Sequence, residues 1–134
     1  MIVTSPEAFC DQLRQNWLTA DSPSVPRAVF LVEPDQFRLS RQAATDNRYM
    51  DLTVGVNSSL ALDQHRRLTE EIAGCGIPVI RFPGRKANPD DLFPNNVFAT
   101  IPGRFIVGAM RHPERQREAA RPDIRAFFSD LMEY

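Results

Sequence analysis

The sequence predicts an α/β fold, with strands and helices alternating in one domain that spans residues 1–134. Three observations carry that expectation. Residues 28–32 form a continuous apolar run, Ala28-Val29-Phe30-Leu31-Val32, of the kind found in a strand buried on both faces. A helix-like segment and a second short run, Pro78-Val79-Ile80-Arg81-Phe82, follow it, which gives the order strand, helix, strand. Further along, two apolar runs flank Ile101-Pro102-Gly103-Arg104, the turn of a hairpin. With 134 residues, 43% of them hydrophobic and 25% charged, the chain has ordinary globular composition and the length for one core rather than two.

The first element is a helix over residues 6–19. Ser5 caps it, Pro6 suits its first turn, Glu7 sits at the positive end of its dipole, and Phe9, Leu13 and Trp17 share one face. Residues 21–26, rich in Ser and Pro, end that pattern before the apolar strand, which reads as a central one. Between residues 33 and 59 periodicity disappears and Phe37, Tyr49, Met50 and Leu52 are scattered anchors. Such a long connection in a compact domain usually has a function. Ser58 or Ser59 caps a second helix with Leu60, Leu68, Ile72 and Cys75 on one face and Arg66, Arg67, Glu70 and Glu71 on the other, and Gly74 and Gly76 end it. The hairpin strands are expected over residues 97–100 and 105–108. A last helix begins at Pro122 and carries Ile124, Phe127, Phe128 and Leu131 at helical spacing.

Several function classes are disfavoured at this level. Sixteen basic and seventeen acidic side chains leave a net charge of -1, so no overall field draws the chain to nucleic acid or to anionic lipid. The longest apolar runs are far short of the roughly twenty residues of a membrane span. The N-terminus lacks a basic region ahead of its first apolar stretch, which argues against a secretory signal and for a cytoplasmic protein. Two distant cysteines, Cys10 and Cys75, cannot form a disulfide framework. Two histidines, His65 and His112, with no CxxC or HExxH pattern, give no support for a metal site, and no cofactor motif is present.

The stretch with most chemistry is Pro89-Asp90-Asp91-Leu92-Phe93-Pro94-Asn95-Asn96-Val97-Phe98, two acids and two amides directly before a hydrophobic strand. A carboxylate at that sheet edge can accept a forked pair of hydrogen bonds from a planar guanidinium or ureido group, and the amides can hold a polar tail. Asp and Asn in this setting also simply make turns and cap strand ends. Arg111, His112, Arg115 and Arg117 form a basic cluster suited to a carboxylate or phosphate, or else a solvated helix start whose arginines pair with Glu114 and Glu118. Neither Cys10 nor Cys75 has a basic neighbour in sequence to activate it, and a lone helical His65 is more often structural than catalytic.

Taken together, the strand ending Phe30-Leu31-Val32-Glu33-Pro34, the helix with Gln64-His65, the segment Gly76-Ile77-Pro78-Val79-Ile80, the acid-amide motif and Pro113-Glu114-Arg115-Gln116-Arg117-Glu118 resemble the guanidine-modifying, or pentein, superfamily. Its members include arginine deiminases, dimethylarginine dimethylaminohydrolases and amidinotransferases. The resemblance runs from residue 28 to about 118 and is nearest to the arginine-deiminase-related or citrulline-hydrolase-like branch, through Phe37-Arg38 and Phe93-Pro94-Asn95-Asn96-Val97-Phe98.

That resemblance implies a five-bladed α/β propeller, of which this chain holds about two modules, built of mixed sheet and flanking helices. It implies a hydrolase or transferase in which a cysteine attacks the guanidinium or ureido carbon and a histidine protonates the leaving amine, with no metal. By matching position, Asp90 grips the guanidino or ureido group, Asn95, Asn96 and Phe93 line the pocket, Arg115 binds the substrate carboxylate, and the loop at Phe37 and Arg38 is a flap. The chain departs from the family pattern at Asn96, where many relatives carry an acid, which favours a neutral ureido or amide group. The family's catalytic histidine and late cysteine lie beyond the matched region. The expectation is therefore a truncated, substrate-binding portion with no catalytic residue of its own, inactive alone, that pairs with itself or with another chain. The alternatives are a non-enzymatic binding or assembly module on the same scaffold, and Cys10 or Cys75 as a substitute nucleophile.

Overall fold

A computed structural model describes residues 2–3, 26–35, 37–101 and 103–132. The helix expected over residues 6–19, with Cys10, lies outside the described residues. In chain order the elements are β1 (Ile2–Val3), β2 (Val29–Val32), α1 (Arg41–Ala44), α2 (Ser58–Gly74), β3 (Val79–Phe82), a 3-10 turn (Pro94–Asn96), β4 (Phe98–Ile101), β5 (Arg104–Val107), α3 (Pro113–Ala119) and α4 (Pro122–Met132). The fold is a small mixed α/β structure with two sheets. In one, β2 and β3 run parallel, with Val29 opposite Val79 and Val32 opposite Phe82. In the other, β5 lies between a parallel β1 and an antiparallel β4.

The strand-helix-strand unit forms because α2 supplies the crossover that parallel strands need. Its start is capped by Asn57, whose Oδ1 accepts from the Leu60 N–H at 3.0 Å, one residue before the serines the sequence suggests. Its end is Gly76, whose φ of 78° is left-handed and whose N–H donates to the Ala73 carbonyl at 2.9 Å. The inward stripe differs from the expected one. Leu62, His65, Thr69 and Ile72 are half-buried, whereas Leu60, Leu68 and Cys75 are exposed. A two-stranded sheet is narrow and covers only part of a helix face, so half of the apolar positions stay outside.

Strand β2 likewise departs from a central, doubly buried strand. Among the described residues it pairs with β3 alone, and only Val32 is fully buried. The core instead gathers where α4 meets both sheets. Phe128 of α4 stacks on Phe105 of β5 at 4.3 Å between ring centroids and meets Phe30 of β2 edge-on at 5.1 Å. Phe98 stacks on the other side of Phe105 at 5.2 Å, and Ile124 is sealed beneath. One helix thus joins two small sheets through aromatic rings, each pair adding roughly 0.5–1.5 kcal/mol beyond area burial. Pro122 starts α4 as expected, but Leu131 is exposed at its far end. The hairpin turns where expected, with Ile101 opposite Arg104 and Gly103 at φ 69°, and each strand lies one residue nearer the turn than expected.

The segment after β2 holds a single helical turn, α1, that hydropathy does not signal. Ser40 caps it by accepting from the Ala43 N–H at 3.0 Å. The chain leaving β3 crosses the chain leaving β2 at Gly84, where any Cβ would collide with the Glu33 carbonyl and the Asp35 carboxylate. Replacing Gly84 by Ala should therefore destabilise by about 1–3 kcal/mol, the usual scale for overpacking, and lower the melting temperature. Asn57→Ala should cost about 1 kcal/mol by loss of the cap, read from urea denaturation with an unchanged m-value.

Candidate functional site

The segment from Pro83 to Phe93 is irregular, so its backbone carbonyls need partners that no sheet provides. Arginines supply them. Arg121 donates to the Pro83 carbonyl at 3.0 Å, Arg38 to that of Lys86, Arg117 to that of Ala87 at 3.0 Å, and Arg115 to those of Asp90 at 2.9 Å and Phe93 at 3.4 Å. The loop closes on itself through short turns, Asn88 N–H to the Arg85 carbonyl at 2.9 Å and Phe93 N–H to the Asp90 carbonyl at 3.0 Å. Beneath it, Arg121 is fully buried, with Nη1 3.0 Å from Asp91 Oδ2 and Nη2 2.6 Å from Asp123 Oδ2. Asn88 donates to the other Asp91 oxygen at 3.2 Å. Burial raises the Asp91 pKa from its ordinary value, against the opposing pull of Arg121.

Above this base lie the residues singled out from sequence. Asp90 is 6% exposed, and no donor among the described residues meets its carboxylate. Burial raises its pKa, Arg115 opposes that, and Glu114 adds to it. Arg115 is also buried; besides the two carbonyls, its Nη1 lies 2.5 Å from Glu118 Oε2. The guanidinium expected to hold a substrate carboxylate is thus directed at the protein's own loop. Phe93 is partly exposed and meets Phe37 edge-on at 6.4 Å. Asn95 and Asn96 lie exposed on the 3-10 turn that follows. Phe37 and Arg38 share the walls of two open grooves, of about 700 Å³ with Asp35, Ser58 and Lys86, and about 550 Å³ with Arg41, Leu52, Val54 and Val56. Asp90 and Arg115 line neither groove.

The rest of the basic cluster has structural partners. Asp46 receives His112 Nε2 at 2.6 Å and Arg111 Nη1 at 3.1 Å, and Ser40 donates to Glu114 Oε2 at 2.6 Å, so this cluster docks the α1 segment onto α3. Cys75 is exposed after α2, and burial lowers the His65 pKa. Among the described residues no group of three or more His, Cys, Asp or Glu could hold a metal ion, and no helix is long and apolar enough to cross a membrane. Sequence reading missed Arg121 as part of the site and named Glu118 only as a solvated pairing partner of the arginines, whereas the Arg115–Glu118 pair is buried. The available signal was slight, an Arg and a Glu three apart on a short helix and an Arg just before a helix-starting Pro.

Glu118 is the most perturbed of these groups. Burial pushes its pKa up to about 7, Arg115 pulls it down, and Asp91 and Asp90 push it further up. Because the folded value exceeds the ordinary 4.5, the folded protein binds more protons between those two values. Stability should therefore fall as pH rises through that window, in thermal melts taken from pH 5 to 8. Arg121→Ala should cost about 3–5 kcal/mol, because it strands buried Asp91 without its counter-charge. Arg121→Lys should recover little of this, since one ammonium cannot reproduce the forked contacts.

Comparison with known proteins adds the family. A family model described as N,N dimethylarginine dimethylhydrolase, eukaryotic, matches residues 33–132, from the end of β2 through α4. No curated protein and no solved structure matches the chain. The match takes in the clasped loop, the acid-amide motif and both following helices, and the chain belongs to this dimethylarginine dimethylhydrolase family.

Proposed function

We propose that this chain forms the guanidino-gripping side of a site that acts on a small guanidino or ureido amino acid, within a propeller of such modules, with Asp90 as the gripping carboxylate. The observation that carries this reading is a buried carboxylate with no donor of its own, in a chain of a guanidino-modifying family. An ionised acid without a hydrogen bond is costly in a protein interior, and a planar N–H group offering two parallel donors removes that cost. Arg115 serves this arrangement by fixing the backbone that carries Asp90. Phe93 and Phe37 offer ring faces and edges to a flat head group or an aliphatic stem, and Asn95 and Asn96 offer amides to its polar end. An amide at Asn96 suits a neutral ureido oxygen as well as a cation.

In this reading the chain binds without turning over. Cys75 is exposed at the end of α2 and His112 is held by Asp46, and no contact joins either to Asp90. The nucleophile and the proton donor of the hydrolysis then come from outside this group of residues. The exposed apolar side chains Leu52, Val54, Leu60 and Leu68 support a pairing of the chain with itself or with another chain. Sedimentation velocity over a concentration series checks that part, with a shift to a larger species expected and a constant monomer against it.

Titration calorimetry with L-arginine, L-citrulline and N-methylated arginines checks the site. Wild type should bind at least one of them, and Asp90→Ala should weaken that ligand ten- to a hundredfold, as loss of about 1.5–3 kcal/mol from a charged hydrogen bond requires. Equal affinity in a folded Asp90→Ala variant would remove Asp90 from the role. Failure of wild type to bind any of them would leave the fold as a scaffold only.

A further inference from the structure

We propose that Glu118 keeps a proton while the site is empty and releases it to water when a guanidinium cation settles on Asp90. The inference rests on the reading of Asp90 given above and adds to it a second, buried acid that never touches the ligand. Charge balance is the starting point. Three carboxylates, Asp90, Asp91 and Glu118, and two guanidiniums, Arg115 and Arg121, are buried together between the clasped loop, α3 and the start of α4. Asp123 also faces Arg121, but Arg85 balances it at 3.0 Å. Glu114 lies beside Asp90 and is hydrogen-bonded by Ser40. With every acid ionised, the buried five carry one surplus negative charge.

The hydrogen bonds identify the group that carries the surplus. Asp91 accepts from Arg121 and from Asn88. Both Glu118 oxygens are shut off from solvent, and Arg115 is the one side chain that brings a donor to them. Its one cation is the Arg115 guanidinium, which also faces Asp90, and the Asp90 backbone N–H adds a weaker pull. One cation therefore stands between two carboxylates, neither of which has a second cation. Protonating one of them removes the surplus, and the more deeply enclosed one, Glu118, has the higher proton affinity, with burial setting its pKa at about 7.

A guanidinium arriving at Asp90 reverses this balance. It adds one positive charge and takes over Asp90, which leaves Arg115 to Glu118 alone. All three acids are then matched by three cations, and the proton on Glu118 leaves to solvent. Glu118 is a positioning residue in this scheme, acting through Arg115 on the loop that presents Asp90. The sign of the pH dependence follows. Below the Glu118 pKa each bound cation must expel a proton, so affinity for L-arginine rises with pH by up to tenfold per unit and levels off above it. A neutral ureido ligand brings no charge, expels no proton and binds with little pH dependence.

Calorimetry at pH 7 in two buffers of different ionisation enthalpy reads the proton directly, using L-arginine as the cation and L-citrulline as its neutral counterpart. Wild type should release a substantial fraction of one proton with L-arginine and none with L-citrulline. Glu118→Gln should bind L-arginine with no proton released and with affinity flat from pH 6 to 8. Equal release by wild type and Glu118→Gln, or equal release with both ligands, overturns the inference while leaving Asp90 as the binding carboxylate. Absence of binding by either ligand to wild type overturns the site itself. Carboxyl carbon NMR of the wild-type protein gives a measurement free of any variant's folding. A Glu118 resonance titrating near 7 supports the inference, and one titrating at the ordinary glutamate value overturns it.

Discussion

An irregular loop with its carbonyls pinned by arginine side chains is what the rest of this structure depends on. Pro83, Lys86, Ala87, Asp90 and Phe93 form no strand, and their carbonyls are taken up by Arg121, Arg38, Arg117 and Arg115. Guanidinium groups suit this task because each carries several donors in a rigid plane and stays charged at any relevant pH. The arginines come from three places, the segment after β2, helix α3 and the residue before α4. The loop therefore acts as the piece against which those elements are aligned. Asp90 inherits a fixed backbone from this arrangement, and its side chain is left without a bond of its own.

The same arrangement explains why the interior is so highly charged for a small chain. The two buried arginines that hold carbonyls, Arg115 and Arg121, each bring a cation that needs an acid, and Glu118, Asp91 and Asp123 answer that need. The apolar core is displaced to the other side of α4, where Phe30, Phe98, Phe105 and Phe128 link the two sheets. Charged and aromatic interiors thus meet at the start of α4, where Arg121 and Ile124 are both buried.

Much of this was legible in the sequence, and the limits have physical causes. Strong periodic or apolar signals found β2, β3, the hairpin and α4, with errors of about a residue at their ends. The inward face of α2 was misread because its contacts are His65 and Thr69 as well as Ile72, and a narrow sheet leaves Leu60 and Leu68 outside. The one turn of α1 was invisible because hydrogen bonds from Ser40, not an apolar stripe, hold it. At the site, Asp90 and Arg115 could be named from the motif. Their partners could not, since the contact of Arg115 with the Asp90 carbonyl joins residues twenty-five apart that only the folded loop brings together.

The docking of α1 onto α3 has a thermodynamic consequence. Apart from Phe37 against Phe93, this segment is fastened by Ser40 and Gln42 to Glu114 and by Asp46 to Arg111 and His112, all of them polar contacts. Detaching it would uncover little oily surface and so change the heat capacity only slightly. Its hold on the body of the protein is accordingly governed by ionic strength far more than by warming, unlike the ring-filled seam beneath α4.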